Sequence, residues 1–369
     1  MKVLFKVGHP SHVHFFKNVI WNLESKGHET KITATDKENV LQLLNAYGFK
    51  YEIVGRERLG LARKLINMFK VDYKMYKVAK DFKPDILVGE SSMTTAQVSK
   101  LVKKPSIIFD DTEHAIEHYL LFAPFADVIC TPSCYKRKVN PKKHVKYNGY
   151  KELAYLHPNQ FKPDTAVLDK LNLSKDDKFI IVRFASWNSA HDIADWGFKF
   201  KNEQEILDFL SKLENYGTVL MSSEIKLSSK FKKYMLPHLD DLHSLLYYAT
   251  LYIGEGHTMA TESAVLGTPS ILVSSWGVFA GNFIDLHKYG LVYSFTDVNH
   301  ALDKATALLE NENLKTEWQK KRKRLLEEKI DVTKFMIDFI ENYPESFCEY
   351  KKETLNNRKQ AKRMINESN

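Results

Sequence analysis

The stretch that decides the fold is Tyr252-Ile253-Gly254-Glu255-Gly256-His257-Thr258-Met259-Ala260-Thr261-Glu262, with Gly267-Thr268-Pro269 just beyond it. An apolar run of strand length meets small residues and then a helix-forming segment at once, the strand-turn-helix step of a parallel α/β sheet. Glycines at 254 and 256 admit phosphate oxygens to the backbone, and the unpaired amides at the helix start, aided by the Thr258 hydroxyl, suit a diphosphate. Glu262 stands one helical turn in, able to accept hydrogen bonds from ribose hydroxyls, and Gly267-Thr268-Pro269 returns the chain to the next strand. The plain alternative is a tight turn followed by an ordinary surface carboxylate.

Outward from this turn the same alternation runs along the chain, and its 369 residues predict two domains. In the first half, strands are expected at Val3 to Val7, Glu29 to Ala34, Lys50 to Val54, Ile86 to Val88, Ser106 to Phe109 and Val128 to Thr131. A polar, Pro-bearing stretch follows, and the pattern restarts with strands at Phe179 to Phe184, Thr218 to Ser222, Leu251 to Gly254 and Ser270 to Val273. The expected fold class is α/β, two Rossmann-like doubly wound parallel-sheet domains facing across a cleft, with a helical C-terminus. The expected boundaries are a first domain at 1–155, a linker at 156–177, a second domain with its terminal helices at 178–345, and a basic, frayed tail at 346–369. Asp331 reads as the cap of a final helix from Val332 to Tyr343.

Composition narrows the function classes. Hydrophobic residues at 44% and charged residues at 27% are globular values that exclude general disorder. Three cysteines make no disulfide framework, and Cys130 with Cys134 lacks the second pair of a zinc site. Met1 to Pro10 is too short and too charged for a signal peptide, and no apolar run reaches membrane-spanning length, so a cytoplasmic protein is expected. The net charge of +8 is dispersed rather than gathered into a stripe, which argues against a nucleic-acid partner. Part of it lies between Arg56 and Lys83, where Ala62, Leu65, Ile66, Phe69, Tyr73 and Tyr76 predict a core-facing helical stripe opposite Arg63, Lys70, Lys74 and Lys77. That helix is either a solvated face or a contact with an anionic membrane surface at the inner face of the membrane.

Ligands of open parallel sheets bind beyond the carboxyl ends of the strands, so the post-strand loops hold the candidate chemistry. The first loop, Gly8-His9-Pro10-Ser11-His12-Val13-His14, lacks the GxGxxG dinucleotide fingerprint and offers His12, with His14 as a further contact, for proton transfer near neutral pH. Later loops supply Glu90 and then Asp110-Asp111-Thr112-Glu113-His114, either as acids or as a helix cap formed by Asp111. In the second half, Arg183 leaves a strand toward the nucleotide, followed by His191 and Asp192 as sugar or acceptor contacts, and Ser223 is placed for base or ribose contact. Arg183 either neutralises diphosphate or forms an interdomain salt bridge. The sequence contains no Asp-x-Asp, so neither a metal nor a cofactor is expected.

The segment Gly254 to Pro269 resembles the nucleotide-binding motif of GT-B glycosyltransferases and of non-hydrolysing UDP-GlcNAc 2-epimerases, and the whole chain to about Tyr343 is similar to the DUF354 family, through His12 to Phe16 and Asp110 to Ala115. The resemblance implies nucleotide-diphosphate sugar as substrate, bound by Arg183, Ser223, Gly254, Gly256, His257, Thr258, Met259 and Glu262. His12 resembles a histidine in the first glycine-rich turn of lipid-linked GlcNAc transferases, where it implies acceptor binding or deprotonation. Glu90 and Asp110 or Asp111 match the acids that the 2-epimerases carry after these strands. The Arg-Pro-Glu turn of those epimerases is replaced here by His-Pro-Ser-His, which favours sugar transfer to a glycan or lipid-linked acceptor over epimerisation. The broader motif has glycine at the place of His257, and a helical rather than left-handed backbone is expected there.

Overall fold

The structure is a computed structural model that describes residues 1–56, 61–113, 115–184, 197–224, 227–237 and 241–367, the side chains of 61–66 and 357–367 lying outside the description. Two compact units emerge, Met1–Tyr155 with Ile330–Asn369, and Leu156–Lys329.

The first unit runs β1 (Lys2–Val7), α1 (Pro10–Ser25), β2 (Glu29–Asp36), α2 (Val40–Ala46), β3 (Tyr51–Arg56), α3 (Leu61–Phe82), β4 (Ile86–Glu90), α4 (Met93–Val102), β5 (Ser106–Phe109), α5 (Ile116–Phe122), β6 (Val128–Pro132), β7 (His144–Tyr147) and α6 (Leu153–Leu156). All seven strands pair in parallel in the order β3-β2-β1-β4-β5-β6-β7. The order reverses between β1 and β4, which opens a crevice at their carboxyl ends.

The second unit runs α7 (Ala166–Asp169), β8 (Phe179–Phe184), α8 (Glu203–Glu214), β9 (Thr218–Ser223), α9 (Leu242–Tyr248), β10 (Leu251–Gly254), α10 (His257–Leu266), β11 (Ser270–Val273), α11 (Gly281–Lys288), β12 (Val292–Phe295), α12 (Val298–Leu309) and α13 (Leu314–Glu328). Its five strands are parallel in the order β12-β11-β10-β8-β9, with the reversal between β8 and β10. The central strands of both sheets are near-continuous apolar runs because helices cover both faces.

Every strand expected from the sequence is present, within two residues at each end. Two were missed, β7 and β12, both four-residue edge strands with partly exposed residues that are too short to stand out. The C-terminus also departs from expectation. Ile330 onward returns to the first unit, so the second unit ends before the expected residue 345. Here α14 (Val332–Glu341), capped by Asp331, which accepts from the Lys334 amide at 3.1 Å, packs on α1. The cause is its apolar face, which buries Val332, Met336, Ile337, Phe339 and Ile340 and stacks Phe335 on Tyr147. The expected frayed tail is instead a helix, α15 (Glu345–Glu367).

Helix α3 corrects a further expectation. Its buried face is Val71, Met75, Val78 and Ala79, packed on Leu4, Val54, Leu87 and Val98. Of the expected core stripe, Phe69 is 68% and Tyr73 58% exposed. The helix carries two apolar stripes, and the compact aliphatic one fits the sheet; periodicity alone selects neither.

Candidate functional site

In the first unit, Gly8 carries the chain off β1 into α1, whose start is capped by His9, its Nδ1 accepting from the Ser11 amide at 3.2 Å. One turn in, His12 Nδ1 accepts from the Gly8 amide at 3.4 Å and Nε2 lies 3.8 Å from Glu90 Oε2. The second distance exceeds hydrogen-bond range and makes a charge contact rather than a bond. Glu90 ends β4, directly beside β1 across the crevice. Gly89 before it is obligatory, since a Cβ there would stand 2.6 Å from Thr95 Oγ1 and 2.8 Å from Ser92 Cβ, where α4 closes on the strand. Ser91 then turns through a left-handed conformation with φ 43°, the kind of local strain found where a loop presents functional groups.

Lys151 is the residue that sequence reasoning missed. Its Nζ donates to Glu90 Oε1 at 2.9 Å and pairs with Asp111 Oδ2 at 3.0 Å. It follows β7, the unrecognised edge strand, in Gly149-Tyr150-Lys151-Glu152; recognising that strand would have marked Lys151 as a post-strand candidate. Burial pushes the Glu90 carboxyl up to about 7, with Lys151 opposing it and Asp111 adding to it. Burial also draws Lys151 down, but Asp111 and Glu90 outweigh it and hold the ammonium well above its ordinary value. Burial, followed by the charge of Lys151, holds His12 well below the usual histidine range. Glu90 Oε2 is buried and has no hydrogen-bond partner among the described residues, while the His12 side chain keeps 19% of its surface exposed. Imidazole is thus the part an incoming molecule reaches, with a carboxyl behind it that exchanges its proton near neutral pH.

The other residues expected here are placed differently. Asp110 accepts from Ser91 Oγ at 2.6 Å, from the Thr112 amide at 3.3 Å and from the Tyr135 hydroxyl, and burial raises it above the ordinary aspartate range. Asp111 does not cap the following helix, whose N-cap is Ala115. Glu113 accepts from the Lys136 amide at 2.9 Å. His14, two residues past His12 and so on another side of α1, lies between Tyr47 and Tyr155. His114 lies outside the described residues. Beneath Gly8, the Lys6 ammonium donates to Val7 O and to Thr35 Oγ1, both at 2.7 Å, and burial lowers it to about 7.

In the second unit the turn after β10 enters α10 through Gly256, the N-cap, which offers no side chain to the first helical amides. His257 is the first helical residue and has no positive φ, as expected. The glycines also have a packing role. A Cβ on Gly254 would stand 2.7 Å from Arg183 Cβ and 2.8 Å from its carbonyl oxygen, and one on Gly256 3.2 Å from the Tyr252 hydroxyl. The missing side chain at Gly254 lets β10 close against β8, and the one at Gly256 leaves room for the Tyr252 hydroxyl. The feature of this turn that suits an anion is the N-terminus of α10, which begins at His257 and carries the positive end of the helix dipole.

Arg183 donates to Ser222 Oγ at 2.6 Å and to the Glu224 carboxylate, so its partners lie within its own unit. Ser223 is the last residue of β9, half-buried beside them. Glu262 is buried and sits 3.0 Å from His243 Nε2. Glu255 is buried as well and accepts from the Phe198 amide at 2.6 Å. His191 and Asp192 lie outside the described residues. Among the described residues no group of His, Cys, Asp and Glu is arranged to hold a metal ion, and no helix is long and apolar enough to cross a membrane.

Two parallel sheets with functional loops at each reversal of strand order, and a helical C-terminus, define a fold of the GT-B type. The chain belongs to the DUF354 family, described as a protein family of unknown function, whose model matches residues 1–345. An uncharacterised protein of Methanocaldococcus jannaschii, MJ0665, is 26% identical over 274 residues, covering 70% of this chain and 78% of that protein. Among solved structures, the UDP co-structure of S. aureus MnaA is similar with a TM-score of 0.64 at 14% identity, over 94% of this chain and 97% of that one. The spinosyn forosaminyltransferase SpnP gives 0.62 at 14% identity, over 94% and 98%. A UDP-GlcNAc 2-epimerase from Neisseria meningitidis bound to UDP-GlcNAc gives 0.60 at 14% identity, over 92% and 99%.

Proposed function

We propose that this chain transfers a sugar from a nucleotide-diphosphate sugar, UDP-linked, to a glycan or lipid-linked acceptor. The observation that carries this reading is the cluster His12, Glu90, Lys151 and Asp111, a partly buried imidazole backed by a buried carboxyl that titrates near neutral pH. An acceptor hydroxyl at His12 gives its proton to the His12–Glu90 pair as its oxygen bonds to the sugar. Lys151 keeps Glu90 and Asp111 in place and offsets their charge. The bond between sugar and diphosphate breaks at the same time, and the departing diphosphate is received at the N-terminus of α10, beside Gly256. Arg183 adds positive charge there, since its pair with half-exposed Glu224 is of the kind that contributes under about 1 kcal/mol and gives way to a diphosphate. In this reading Glu262 and Ser223 contact the nucleoside.

A second reading, 2-epimerisation of a UDP-sugar, draws support from Glu90 and Asp110, two carboxyls on adjacent strands that burial raises together. Mass spectrometry of purified protein incubated with UDP-, GDP- and CMP-sugars, with and without polyprenyl-phosphate and oligosaccharide acceptors, separates the two. Acceptor-dependent loss of a UDP-sugar is the expected result. Isomer formation without acceptor assigns epimerisation, and binding without turnover makes the chain a sugar-nucleotide binder. Failure to bind any donor overturns both enzymatic readings.

A further inference from the structure

The outward face of α3 has no explanation in the sheet it covers. Phe69 and Tyr73, one turn apart, are 68% and 58% exposed, whereas Val71, Met75, Val78 and Ala79 already satisfy the sheet beneath. Exposed Lys70, Lys74, Lys77 and Lys80 surround the two rings, with Asp81 the exposed acid at the helix end. Lys77 Nζ lies 4.7 Å from the centre of the Tyr73 ring, so cation and aromatic share one surface rather than opposite ones. Aromatic rings set among lysines on a helix lying across a surface form the arrangement that settles in the headgroup layer of a bilayer. The rings enter the acyl boundary while the lysine stems reach back to anionic phosphates. A soluble partner of ordinary composition would not call for so one-sided a charge.

We propose that the outward face of α3, through Phe69 and Tyr73 with Lys70, Lys74 and Lys77, docks this protein on an anionic membrane surface. Attachment of this kind is peripheral and reversible, and it depends on both contributions. Lipid charge supplies long-range attraction that salt screens, and the rings supply the salt-resistant remainder. The proposal goes beyond the reaction and stands whether or not a sugar is transferred, because the binding it describes needs no nucleotide.

The test is co-sedimentation of the full chain with vesicles of phosphatidylcholine alone or phosphatidylcholine with phosphatidylglycerol, at low and high salt and without donor. At low salt, binding is expected to be far stronger to the phosphatidylglycerol vesicles, and it is expected to fall toward the phosphatidylcholine level as salt rises. Replacing Lys70, Lys74 and Lys77 by Gln lowers the partition coefficient on the order of a hundredfold, from the attraction each lysine contributes near an anionic surface. Phe69→Ser with Tyr73→Ser removes the binding that persists at high salt. As a control of like charge change, Lys315→Gln with Lys320→Gln and Lys323→Gln on α13 leaves binding as it was. Circular dichroism establishes that each variant is folded. Equal binding to both kinds of vesicle at low salt, no binding to either, or an equal loss in the α13 variant overturns the proposal. So does a shift from dimer to monomer in the Phe69 and Tyr73 variant without vesicles, which assigns the face to a second copy of the chain.

Discussion

The cluster in the first unit and the turn in the second occupy equivalent places, each at the carboxyl ends of neighbouring strands where the strand order reverses, but they are built of different materials. The first is made of side chains, His12, Glu90, Asp111 and Lys151, whose burial and mutual charge set their protonation. The second is made of backbone, a helix N-terminus that begins after a glycine cap, with Arg183 packed against the preceding turn. In the proposed reaction the same α/β step serves two tasks. Titratable groups suit proton transfer, and fixed dipoles suit an anion whose charge never varies during binding.

The two sites should therefore fail differently. The largest effect is expected for Lys151→Met, which leaves Glu90 and Asp111 without their shared buried cation and destabilises the fold by about 3–5 kcal/mol in chemical denaturation near pH 8. The loss shrinks at pH 5, where Glu90 takes up a proton. Arg183→Met, which breaks a more exposed pair, is expected to change stability by under about 1 kcal/mol. Equal losses from the two variants would remove the distinction between them.

An intermediate effect is expected at Gly254. Adding one methyl group in Gly254→Ala drives Cβ against the Arg183 backbone and costs about 1–3 kcal/mol. Thermal denaturation with and without UDP reads both consequences, a lower melting temperature and a smaller shift on adding nucleotide. A variant as stable as the parent would mean that the close approach of β10 to β8 is not what requires glycine.

The last effect is a change in slope with pH rather than a loss at one pH. Folded Glu90 keeps its proton up to about 7, against an ordinary value of 4.5, so its preference for the protonated form stabilises the fold below 4.5 and that contribution is lost as pH rises through 7. Glu90→Gln lacks this titration, and its stability relative to the parent is expected to rise between pH 5 and pH 8. A difference that stays constant over this interval would place the Glu90 carboxyl in the ordinary range.

Much of this was legible in the sequence because parallel sheets write their strands as apolar runs. The central strands and the turn at Gly254 to Thr258 needed nothing more. Edge strands β7 and β12 escaped because half-exposed residues dilute the run, and Lys151 escaped with β7. The side of α3 that faces the core was misread because two apolar stripes satisfy the same period, and only the shape of the sheet chooses between them. His12 and Glu90 were each visible as post-strand residues. Their proximity was not, since 78 positions separate them and only the adjacency of β1 and β4 brings them together. The burial that tunes Glu90 likewise belongs to the fold and not to any local pattern.

The central claim is that the donor is held by the second unit while the first handles the proton. Its most direct test is to measure UDP-sugar affinity by calorimetry and acceptor-dependent turnover in the same preparation of Glu90→Gln. The account predicts an unchanged dissociation constant and a turnover lowered by about 10²–10⁴-fold, the range for loss of a positioned proton acceptor. Undiminished turnover, or an affinity that falls as far as the rate, would contradict it.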